Sequence, residues 1–145
     1  MYKHILIATD GSELAAKAVT SGIELAKRLG AKLTAVTATE PWTTMMVAGD
    51  PGAAFPTMEY EQVSAENAAN ILAAVSSMAK TAGVACETVH VMNYPADAII
   101  DTAKSKGCDL IVMSSHGRRG IARILIGSQA VNVLTHSTVP VLICR

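Results

Sequence analysis

Residues 4–12 read His4-Ile-Leu-Ile-Ala-Thr-Asp-Gly-Ser12. An unbroken apolar run closed by Asp10-Gly11 predicts a strand buried on both faces. Ser12 is suited to cap the N-terminus of a helix, with Glu13 in its first turn. Beyond it, Ala15, Val19, Gly22, Ile23, Ala26 and Leu29 fall on one helical face, and Lys17, Ser21, Glu24 and Arg28 on the other. Gly30 is placed to end that helix, and Lys32–Thr39 reads as a second strand. Strand, helix and strand are thus complete by Thr39, which is the unit that builds a parallel sheet.

The alternation continues along the chain. From Glu59 to about Thr81 a helical period returns in Ala65, Ala68, Leu72, Val75 and Ala79, and Gly83 ends it. Cys86–Met92 alternates as a strand. Pro95 opens a helix that runs to about Ser105, with Gly107 as its stop. Asp109–Ser114 is a fourth strand, Ser128–Thr135 a further helix, and Val139–Cys144 the last strand. The class is α/β, with a parallel sheet covered by helices on both faces. No repeat or linker divides residues 1–145, so one domain is expected. Residues 40–58 break the pattern with Pro41, Gly49, Pro51, Gly52 and Pro56, and predict a long loop. Its Met45-Met46 and Trp42 cluster either covers a ligand or partner or packs on its own domain.

Composition narrows the function. Twelve basic residues balance twelve acidic ones, for a formal net charge of zero. A binder of nucleic acid or of a membrane surface needs a basic excess, so neither partner is expected. Half the residues are apolar, which excludes disorder, and aromatics make up 3%. The core must therefore be aliphatic. No run approaches the length of a membrane span. Met1-Tyr-Lys-His leads straight into the first strand, so no secretory leader is expected. Cys86, Cys108 and Cys144 form no CxxC pair and read as buried structural thiols in a reducing cytoplasm.

In an open α/β sheet, ligands bind beyond the carboxyl ends of the strands. Two loops there are distinctive. One is Ala8-Thr9-Asp10-Gly11-Ser12. The other runs from Ser114-Ser115-His116-Gly117 through Arg118, Arg119, Gly120 and Arg123 to Gly127-Ser128. Glycines let backbone N–H groups approach an anion closely, and Gly127-Ser128 opens a helix whose N-terminus favours phosphate. Asp10 is a carboxylate for a ribose hydroxyl or for Mg²⁺ held through a nucleotide. On spacing alone, a glycine-rich turn with surface arginines remains the competing reading.

The whole chain, except the loop at 40–58, resembles the universal stress protein family. The resemblance is carried by Lys3-His-Ile-Leu-Ile-Ala-Thr-Asp-Gly-Ser12, by Asp109-Leu-Ile-Val-Met-Ser-Ser-His-Gly-Arg-Arg-Gly120, by Leu125-Ile-Gly-Ser128 and by Val139-Pro-Val-Leu-Ile143. It implies an open five-stranded parallel sheet of order 3-2-1-4-5, Rossmann-like and similar to the adenine nucleotide α-hydrolases. It also implies a homodimer. The family's nucleotide-binding branch carries G-x₂-G-x₉-G-[ST]. Here Gly117 is the second glycine, Gly127-Ser128 the last pair, and Ser114 replaces the first glycine, where a side chain crowds the ribose. The implied ligand is ATP, with Mg²⁺. Phosphates would fall to Gly117, Gly127 and Ser128, ribose or metal to Asp10, and adenine to Val36 and Met113. Ala8, Thr9, Ser115, His116, Arg118, Gly120 and Gln129 complete the expected contacts. The implied role is a dimeric stress-response sensor that reports nucleotide occupancy to a signalling partner. The last strand, Val139–Cys144, lies at the sheet edge, where a bare apolar strand invites an identical one.

Catalytic groups are not evident. His116 has no nucleophile and acid at an interpretable spacing. Neither the four histidines nor the cysteines show metal-ligand spacing. The Walker A motif and a G-x-G-x-x-G after the first strand are both missing. A nucleotide-free module of the same fold and a slow ATPase stand as alternatives, with an FMN-binding flavodoxin-like protein more remote.

Overall fold

The structure is a computed structural model and describes residues 1–42, 57–117 and 126–145. Five strands, β1 (His4–Ala8), β2 (Lys32–Thr39), β3 (Cys86–Met92), β4 (Leu110–Ser114) and β5 (Val141–Cys144), form one sheet of order β3-β2-β1-β4-β5. Every pairing is parallel. The described helices are α1 (Glu13–Leu29), α2 (Thr57–Ala82), α3 (Pro95–Lys106) and α4 (Ser128–His136). The order expected from the resemblance is the one found.

Strand alternation divides the core. Ile5 and Ile7 of β1 face α1 and α2, packing with Val19, Ile23, Leu72 and Val75. Leu6 and Ala8 face α3 and α4, packing with Ile99, Ala103 and Val133. Both sides of β1 are buried, as its unbroken apolar run requires. Ser12 caps α1 by accepting from Ala15 N at 3.2 Å, and Gly30 ends the helix at φ 65°. A residue with a Cβ avoids that left-handed conformation.

Four sequence expectations shift. Of the three thiols expected to be buried, Cys108 is, whereas Cys86 and Cys144 are only partly buried. Leu29 is 37% exposed, and Ala18 is buried on the α1 face in addition to the residues expected. Ala65 is exposed, because α2 meets the sheet only from Ala68 onward. The last strand begins at Val141, not Val139. Val139 is held in a turn by both polar atoms of its backbone, each bonded to Ser137 Oγ. Pro140 then has no N–H to give the ladder, although its carbonyl accepts from Ile111 N.

Polar groups are satisfied at the amino-terminal end of the sheet. His4 Nε2 lies 2.8 Å from Thr34 Oγ1, and both residues are buried. The same threonine bonds to the Cys108 thiol, and the His4 ring bonds to the backbone at Lys106. Asp109 accepts from the backbone N–H groups of Lys3 and His4 at 2.9 and 3.1 Å. Burial, and then the Lys32 ammonium, hold His4 below its ordinary 6.5; burial alone lowers His90.

Gly22 of α1 lies directly on β1: a Cβ there would meet Ile7 Cδ1 at 2.6 Å and Cγ1 at 2.7 Å. Gly22→Val should therefore destabilise the fold by about 2 kcal/mol through overpacking, read by urea unfolding. The lowered histidines set a pH dependence. Below about pH 6.5 the unfolded chain takes up protons that native His4 and His90 resist, so stability falls as pH falls through that range. Unfolding free energy should be lower at pH 5.5 than at pH 7.5, and His4→Gln should flatten the slope.

Candidate functional site

A cavity of about 570 Å³ opens beyond the carboxyl ends of β1, β2 and β4, walled by α2, α3 and α4. That volume suits a small-molecule ligand. It lies where strand order reverses, with β1 between β2 and β4.

The β1 end is built by a tight turn. Thr9 N donates to Val36 O at 3.0 Å, the last link between β1 and β2. Gly11 takes φ 77°, its N–H donates to Thr9 Oγ1, and Ser12 N donates to Asp10 Oδ1 at 2.9 Å. The carboxylate is thereby held against the β4 loop. A Cβ on Gly117 would sit 2.8 Å from Asp10 Oδ2, so the two loops approach closely there and a side chain at 117 would displace the Asp10 carboxylate.

The β4 end is anchored in three directions. Ser114 Oγ donates to His116 O at 2.6 Å. Ser115 N donates to Cys144 O of β5 at 2.8 Å, and Ser115 O accepts from Gly127 N at 2.7 Å. Gly127 caps α4, and a Cβ there would lie 3.0 Å from Ser115 O. No acidic residue occupies the first turn of α4, whereas α1, α2 and α3 carry Glu13, Glu59 and Asp97 there. The positive end of α4 is thus left without a carboxylate in its own first turn, beside Gly117 and Gly127. His116 Nδ1 pairs with Ser115 Oγ at 3.0 Å, while its buried Nε2 has no hydrogen-bond partner among the described residues.

Every expected site residue that lies among the described residues lines the cavity: Ala8, Thr9, Asp10, Val36, Met113, Ser114, Ser115, His116, Gly117, Gly127, Ser128 and Gln129. Arg118 and Gly120 lie outside the described residues, as do Arg119, Arg123, Met45, Met46 and Phe55. Two of the lining residues have other duties. Gln129 Oε1 accepts from Ala96 N at 3.3 Å and so serves the first turn of α3, which its N-cap residue Tyr94 does not cap with its side chain. Val36 is 1% exposed, and its carbonyl is already taken by Thr9. Alternation along β2 turns the N–H and C=O of Ala38 to the same side, past the end of β1.

The α2 wall is the part sequence reading missed. Tyr60, Ser64, Asn67 and Ile71 line the cavity at helical spacing. The signal is that spacing itself, hidden because mixed polar and apolar residues form no hydrophobic stripe. Tyr60 OH donates to Glu40 O at 2.7 Å, and its ring stands 5.0 Å from that of Trp42 at 48°. Trp42 thus stands beside the cavity wall, while the other residues of its expected cluster, Met45 and Met46, lie outside the described residues. Thr39, Pro95 and Ile99 complete this end.

Among the described residues no group of three or more His, Cys, Asp or Glu could hold a metal. Asp10 is a single carboxylate, so a cation here would draw its remaining ligands from phosphate and water. Among the described residues, no helix is long and apolar enough to cross a membrane.

Comparison with known proteins agrees with this architecture. A universal stress protein of Methanocaldococcus jannaschii is 32% identical over all of this chain and 83% of its own length. The universal stress protein YxiE of Bacillus subtilis is 34% identical, with both chains covered completely. The structure of UspA from Lactobacillus plantarum superposes with a TM-score of 0.86 at 26% identity, over 99% of this chain and 98% of that one. A universal stress protein solved in complex with cAMP gives a TM-score of 0.74 at 30% identity, over 99% and 97%. The model of the Universal stress protein family matches residues 1–145, and with the 3-2-1-4-5 sheet beneath it the chain belongs to that family.

Proposed function

We propose that the cavity binds an adenine nucleotide, ATP with Mg²⁺ held through its phosphates, and that the protein acts as a dimeric stress-response sensor. The observation that carries this reading is the paired close approach at Gly117 and Gly127, beside the N-terminus of α4. The glycines let the β1 and β4 loops and the start of α4 close on one another, which brings the Gly117 N–H and the N–H groups of the first turn of α4 to one place for phosphate oxygens, the Gly127 N–H being held by Ser115 O. Ser128 sits at the first helical position with a hydroxyl to add. Asp10 faces the ribose or the cation. The Ala38 main chain offers one donor and one acceptor side by side, complementary to the acceptor and amino group on the edge of adenine. This shifts the base-reading role from Val36 to Ala38, while Met113 and Val36 supply apolar floor. The relative bound to cAMP supports an adenine nucleotide as the ligand class. Occupancy would be reported to a protein partner in a reducing cytoplasm, consistent with three free cysteines.

The two sheet edges differ. β3 presents Glu87, paired with Lys106, whereas β5 is Val141-Leu-Ile-Cys144 with Leu142 41% exposed. Charges discourage strand addition and bare apolar strands invite it, so dimerisation is assigned to β5.

Calorimetric titration should give saturable ATP binding at one site per chain, and no binding up to millimolar ATP would leave a nucleotide-free module. Gly127→Val should weaken ATP binding by at least about tenfold, with circular dichroism confirming that the variant is folded. Leu142→Lys should convert a dimer to a monomer in sedimentation equilibrium; an unchanged mass would remove β5 from the interface.

A further inference from the structure

The inference concerns Ser114 and rests on the proposed nucleotide site. Ser114 is the last residue of β4, is 9% exposed, and occupies a cavity wall. Its hydroxyl is turned onto its own loop. It donates to the carbonyl of His116, two residues on, at 2.6 Å. A buried hydroxyl so engaged is fixed in one rotamer, and its partner carbonyl is fixed with it.

That bond has a consequence through the peptide plane. In a trans peptide the carbonyl and the following N–H point in opposite directions. The carbonyl of His116 points back at the end of β4, so the N–H of Gly117 points away from the strand, into the region beyond its carboxyl end. No cis peptide alters this relation. The same loop is already anchored by Ser115, whose N–H is held by β5 and whose carbonyl is held by the N-cap of α4. Among the described residues of the loop, the His116–Gly117 peptide comes next after these anchors, and the Ser114 hydroxyl is the group that holds it.

We infer that Ser114 is a positioning residue: its hydroxyl locks the His116–Gly117 peptide so that the Gly117 N–H is presented to a phosphate oxygen of the bound nucleotide. It contributes without touching the ligand, by removing a rotation the loop would otherwise lose on binding. This differs from the expectation that a side chain at position 114 merely crowds the ribose.

The two accounts predict opposite results for Ser114→Ala, which removes the hydroxyl and makes the side chain smaller. The measurement is calorimetric titration of wild type, Ser114→Ala and Ser114→Thr with ATP and, in parallel, with adenosine. A positioning role lowers ATP affinity in Ser114→Ala by about fivefold, while adenosine, which has no phosphate, changes by less than about twofold. Ser114→Thr keeps the hydroxyl and should keep the wild-type ratio of ATP to adenosine affinity even if its methyl weakens both. Equal or tighter ATP binding by Ser114→Ala overturns the proposal and leaves crowding, as does a parallel loss of ATP and adenosine. If wild type binds neither ligand, the nucleotide reading fails and this inference falls with it, an outcome distinct from binding that ignores the hydroxyl.

Discussion

The backbone of Ser115 joins three elements. Its N–H closes β4 onto the last residue of β5, and its carbonyl receives the N-cap of α4. Because β4 also pairs with β1, the junction fixes the cavity floor relative to the sheet. The junction is tight at Gly127, since Ser115 O lies 3.0 Å from where a Cβ would stand. The site is therefore assembled from main-chain hydrogen bonds, with side chains added on top. The same junction connects the cavity to β5, the edge strand on which a dimer is proposed. Ligand and partner would then act on one short run of backbone.

The two ends of the sheet carry different kinds of polar chemistry. At the amino-terminal end, His4, Thr34, Cys108 and Asp109 satisfy one another. Burial raises the Cys108 thiol, which keeps it an inert neutral group. At the carboxyl end, the first turn of α4 carries no acidic residue, and His116 Nε2 is buried without a hydrogen-bond partner among the described residues. Parallel strands put all their carboxyl ends together, so these groups collect in one crevice. The contrast separates residues that stabilise from residues available to a ligand, without any appeal to chemistry beyond hydrogen bonding.

Most of the fold was readable because its signals are local. The apolar run at His4–Ala8, the cap at Ser12 and the stop at Gly30 each act within a few residues, and all three are found as read. The expected ligand loops also meet at one cavity, because strand ends converge in this topology. The errors share a cause. Leu29 and Ala65 lie on the expected apolar faces but beyond the reach of the sheet, and a helical period carries no information about where a packing partner ends. Val139 continues an apolar run, yet Ser137 holds it in a turn.

By itself, the sequence determined the element order, the parallel sheet and the two glycine-bearing loops, because periodicity, capping and turn chemistry are properties of neighbouring residues. Tertiary structure alone decided that Tyr60, Ser64, Asn67 and Ile71 wall the cavity, that Gln129 serves α3, and that Ala38 presents the free main chain of β2. It also decided that the Ser114 hydroxyl turns onto its own loop. Each of these depends on where one element stops beside another, and that register is set only when the helices dock on the sheet.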